Sequence, residues 1–188
     1  MMARLRLTAF VFLLSLGALF GSVIAQAVKT EVIKATTAAE DSKCNSDSIP
    51  DVIPIYGTFD QILVLRFKYK SVLLLGLRNM VSEHGISNGV ILSGIGSIRN
   101  YHIHSVSNNE FPSKNIYIKD KDAPADLTSI NGYIIDGRVH AHVNLSNEEG
   151  AFGGHLEEGT SVFTFAIVTI GVFKEGIDLS WVDDKTFR

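Results

Sequence analysis

The chain has almost no cysteine: Cys44 stands alone among 188 residues. One thiol cannot form an internal disulfide, so the fold rests on its core rather than on covalent staples. Basic charge is also scarce, with 17 Lys and Arg against 20 Asp and Glu and a net charge of −3. That balance lacks the positive footprint of a nucleic-acid binder. No internal repeat is visible, which sets solenoids and propellers aside. What remains is an ordinary globular composition, 46% hydrophobic and 9% aromatic, sufficient for a packed core. The length suits one domain with extensions.

The N-terminus is such an extension. Arg4 and Arg6 precede an uncharged apolar run over residues 7–24, and Val23, Ile24 and Ala25 close it. This is the pattern of a secretory signal peptide over residues 1–25, cut near Ala25 and Gln26. Left uncut, residues 7–27 are long enough to span a bilayer, although Gly17, Gly21 and Ser22 weaken that reading. Membrane contact is expected only in that case. Cleavage leaves 15 basic residues against 20 acidic, a net of −5, and implies an extracytoplasmic place, periplasmic or secreted. Residues 26–50 are polar without a sustained period and read as a flexible linker that carries Cys44. The folded domain is expected over residues 51–188.

Within the domain, residues 61–67 read as a buried strand and residues 72–84 as a helix capped by Ser71 and stopped by Gly85. Residues 89–96 form an apolar strand that ends in a tight turn at Gly94 and Gly96; a lone Gly-x-Gly lacks the rest of a dinucleotide fingerprint. Residues 98–106 continue that strand or start another, and residues 115–119 form a further one. Residues 127–145 are β-rich and broken by Asp136-Gly137, a strong hairpin signal. A turn is expected at residues 147–150, a long apolar strand over 161–173 and a last strand over 177–182. Many strands and one or two helices give α+β with a mainly antiparallel sheet.

The most informative stretch is Gly137-Arg138-Val139-His140-Ala141-His142, followed by Gly153-Gly154-His155-Leu156. His140 and His142 are two apart and project from one face of a strand. His155, on a loop flexed by two glycines, completes a three-nitrogen set. Three imidazoles with one open position typify catalytic zinc. The pair His102 and His104 has the same spacing but no third histidine on a nearby glycine turn. It reads as ordinary strand residues, and His84 as a helix-end residue. Glu157 lies close to His155 in sequence, while Arg138 and Arg99 lie near the histidine strand and the glycine turn. These three are the weaker catalytic candidates, an arginine being suited to grip a carboxylate on a bound ligand.

Taken in order, Leu92-Ser93-Gly94-Ile95-Gly96-Ser97, Thr128-Ser129-Ile130-Asn131-Gly132, the run from Gly137 to Ser146 and Gly153-Gly154-His155-Leu156 resemble the PPC domain, the plant- and prokaryote-conserved domain. The resemblance covers about residues 60–183. It implies an α+β fold with an antiparallel sheet of about seven strands flanked by helices, similar to acetolactate decarboxylase, and assembly as a homotrimer. It implies a prokaryotic type of member, in which zinc is held by the residues matching His140, His142 and His155. Plant members carry an AT-hook, which is missing here, so their nuclear role does not transfer.

The expectation that follows is an exported, trimeric protein that binds zinc or another divalent metal through His140, His142 and His155 and takes a small anionic ligand. Should it be an enzyme, a zinc-dependent hydrolase or a decarboxylase-like lyase is the class. The rival readings are a DNA-binding or regulatory protein, opposed by charge and export signal, and a non-catalytic assembly module.

Overall fold

The computed structural model describes residues 29–37 and 50–183. The expected signal peptide and Cys44 lie outside them. Among the described residues no helix is long and apolar enough to cross a membrane.

The elements in chain order are β1 (Lys29–Ala35), β2 (Phe59–Lys68), α1 (Leu73–Glu83), β3 (Gly89–Val106), β4 (Lys114–Asp120), β5 (Ala125–Ile135), β6 (Arg138–Asn147), β7 (Gly150–Leu156), β8 (Ser161–Phe173) and a short 3-10 helix (Ser180–Asp183). The expected class holds: the described residues form eight strands rather than about seven and one α-helix, within the one or two expected. Every strand pairing is antiparallel.

β3 organises the sheet. Its first half lies between β5 and β8, and its second half between β4 and β7. β5, β6 and β7 follow one another as hairpins, and β7 then returns to β3 through Ile103↔Leu156 and His104↔His155. The strands β3, β5, β6 and β7 therefore close on themselves as a ring. Alternate residues of these strands, among them Ile103, Ile130, Val143, Leu145 and Leu156, are buried on one face. Leu73, Leu77 and Val81 of α1 join the same core. The intervening residues point to the other face, as the two-residue period of a strand requires.

Several local expectations are corrected. The glycines at 94 and 96 make no turn: β3 runs through them for 18 residues. They are small because neighbours press close, since a Cβ at Gly94 would strike Ile130 and one at Gly96 the backbone of Phe165 and Ala166. Ser71 does not cap α1. The N-cap is Val72, without a side-chain bond, and the amide of Leu73 donates instead to the Thr160 carbonyl (2.9 Å). Residues 177–182 form no strand. The expected linker contains β1, which pairs along its whole length with β4. All seven of its residues are exposed, so no buried stripe marked it, and only the β-branched Thr30, Val32 and Ile33 hinted at a strand. The hairpin at Asp136 and Gly137 is as expected: both have positive φ (49° and 73°), as a tight two-residue turn demands.

Candidate metal centre

The ladder registers bring the histidines together. His155 on β7 faces His104 of β3 on one side and His142 of β6 on the other. Directly opposed residues share a face, so His104, His155 and His142 form a row across three strands, on the face turned away from the core. His140 stands two residues before His142 on that same face. The rings of His104 and His155 stack at 4.6 Å, and His155 meets His140 and His142 edge-on at 4.8 and 5.2 Å.

The two glycines have a different task from the one the sequence suggested. Gly153 and Gly154 lie within β7, on no flexed loop. A Cβ on Gly153 would collide with the Val143 carbonyl, and one on Gly154 with the His104 carbonyl. Without side chains there, β7 fits between β6 and β3 and carries His155 into the row.

The donor chemistry suits a cation. Nε2 of His140 and Nε2 of His142 lie 3.3 Å apart. Two imidazole lone pairs that close need a proton or a positive ion between them. A tetrahedral zinc with Zn–N of about 2.0–2.1 Å sets neighbouring ligand nitrogens about 3.3–3.4 Å apart. Beside this pair, donor atoms of His104, His155 and Glu157 all lie within 4.8 Å of one another. Nδ1 of His104 is 2.7 Å from Oε1 of Glu157, and Nδ1 of His155 is 3.1 Å from the Leu156 carbonyl oxygen.

Burial, and then the neighbouring His104 and His140 rings, push His155 down to about 4, so its ring is neutral and able to ligate at neutral pH. His142 is lowered in the same direction by burial, His140 and His104.

The structure thus gathers His140, His142 and His155, and it adds two residues. His104, read from sequence as an ordinary strand residue, belongs to the cluster. Glu157, among the weaker candidates, is its carboxylate. The partner of that strand pair, His102, goes elsewhere: its Nδ1 lies 2.8 Å from the Glu158 carbonyl oxygen. Arg99 places its guanidinium 5.8 Å from the centre of the Tyr69 ring, and Arg138 opens β6, one outward position before His140. His104 escaped the sequence reading because its partner, His155, is 51 positions away, and only the β3–β7 register joins them.

A model of the Plants and Prokaryotes Conserved (PCC) domain matches residues 55–174. The chain belongs to this family. Among solved structures, a plant- and prokaryote-conserved protein of Pyrococcus horikoshii is 29% identical, over 67% of this chain and 87% of its own, with a TM-score of 0.53. A protein of Archaeoglobus fulgidus described as metal-containing is 21% identical, over 65% and 86%, with a TM-score of 0.56. A Bacteroides thetaiotaomicron protein provisionally named DNA-binding is 15% identical, over 64% and 86%, with a TM-score of 0.50. No curated protein matches the chain. β1 lies outside the matched PCC segment.

Proposed function

We propose that this PCC-domain protein is an exported metal-binding trimer that holds one zinc ion per chain through His140, His142 and His155. The observation that carries the reading is the 3.3 Å approach of two imidazole nitrogens, with a third, neutral imidazole edge-on to both. Imidazoles favour zinc among common ions, with other first-row divalent metals as competitors. The metal-containing neighbour of A. fulgidus supports the same reading. Three imidazoles leave a tetrahedral ion one further position, for a small anion or for another donor of the chain. Bound there, zinc would supply Lewis-acid polarisation of whatever occupies that position. Export rests on the apolar run behind Arg4 and Arg6.

Trimer formation is supported by the outward face of β2, β8 and β3. Ile62, Val64, Ile95, Phe163 and Phe165 are each about half exposed there, an apolar grouping of the kind that marks a partner surface. Duplex DNA is the poorer fit for a chain with more acidic than basic residues.

The test is metal analysis of the purified chain after zinc repletion and dialysis. About one equivalent is expected, lost on His140→Ala or His155→Ala; less than about a tenth of an equivalent in the wild type removes the reading.

A further inference from the structure

His104 stands directly opposite His155, on the face that carries His142 and His140. Its ring is held on both sides, stacked on His155 at 4.6 Å and against Tyr117 at 4.8 Å. Lys34 of β1 rests its ammonium over that Tyr117 ring at 4.4 Å. The ring's rotation is set as well. An ionised carboxylate only accepts hydrogen bonds, so in the neutral ring Nδ1 donates to Glu157 and Nε2 keeps the lone pair. The same argument applies to His155, whose Nδ1 donates to the Leu156 carbonyl. Metal-binding histidines are anchored in these two ways, through one ring nitrogen bonded to a carboxylate or a backbone carbonyl while the other faces the ion. His104 therefore has the tautomer, the anchor and the position of a ligand. His102, two residues earlier on the same strand, is spent on the Glu158 carbonyl and lies farther from Tyr117, at 6.3 Å.

We propose that His104 is a fourth protein ligand of the centre, its Nε2 filling the position left by His140, His142 and His155, with Glu157 as the positioning carboxylate. This rests on the three-histidine reading and completes it. The resting centre is then closed, with four imidazoles and no exchangeable site.

The experiment loads the full chain with cobalt(II), titrates it with azide and follows the visible spectrum; zinc affinity is measured in parallel by competition with a chromophoric chelator. A closed site predicts a tetrahedral cobalt spectrum in the wild type that azide does not move. His104→Ala is expected to bind one zinc about 10- to 100-fold more weakly and to gain an azide-dependent spectrum, Glu157→Gln to weaken zinc about 10-fold, and His102→Ala to match the wild type. An azide response in the wild type overturns the proposal without needing any variant. So does His104→Ala with unchanged affinity, and so do two zinc ions per chain, which would make His104 and Glu157 a separate position. Failure of the wild type to bind any ion removes the three-histidine reading itself, so the two failures are told apart.

Discussion

At the scale of single residues, the histidine row costs stability in acid. His155 stays neutral in the folded chain down to about pH 4, whereas an unfolded chain's imidazole titrates near 6.5. Between those values the unfolded state binds the extra proton, so stability of the metal-free chain is full above pH 6.5 and falls as the pH drops toward 4, by up to about 3 kcal/mol. Urea midpoints measured from pH 7 to pH 4 should show this slope in the wild type and a flatter one in His155→Ala; equal slopes would contradict it. The spacing of His140 and His142 was readable from sequence because the two-residue period of a strand is local. His155 was readable as a donor, but its glycines were misread, since glycine at a bend and glycine under a crowding backbone look alike in a sequence. His104 was hidden for a third reason: its carboxylate lies 53 positions away, and period alone cannot separate it from His102.

At the scale of elements, β1 is the least committed strand. Its backbone pairs with β4 over seven positions, yet every side chain is exposed, so it contributes little apolar burial. Deleting residues 29–37 should leave a folded domain with a modestly lower melting temperature in circular dichroism; loss of the folded spectrum would show that β4 cannot serve as an edge. Elements with a buried stripe or a turn signal were legible: the β5–β6 hairpin and β8 fall where the apolar runs and Asp136-Gly137 put them, and β2 and β4 fall at the expected positions, although β2, read as buried, buries only Leu65 and Phe67. β1 and the C-terminal segment were not, one because it has no inward face, the other because an apolar run near residue 180 packs as a 3-10 turn with Leu179 buried. The cap of α1 was misassigned because a backbone contact to Thr160, distant in sequence, does the work of a side-chain cap.

At the scale of the whole molecule, the exposed apolar face and the histidine row lie on the same side of one sheet. Tyr133, half exposed, sits opposite His140 on that side. Replacing Val64 and Phe165 together by Lys should convert the proposed trimer to monomers in sedimentation velocity while the circular dichroism stays that of the folded chain; an unchanged mass would place the interface elsewhere. Such a partner surface would also shelter the metal centre from solvent. The ring of strands adds one more consequence. The β3–β7 ladder has two paired positions, and one of them is His104 and His155. The clasp of the ring and the proposed ion site share His104 and His155. An ion gripped from β3, β6 and β7 would act as a rivet on the narrowest seam, so that unzipping β7 would require releasing the ion, and metal occupancy would be a record that the seam had closed.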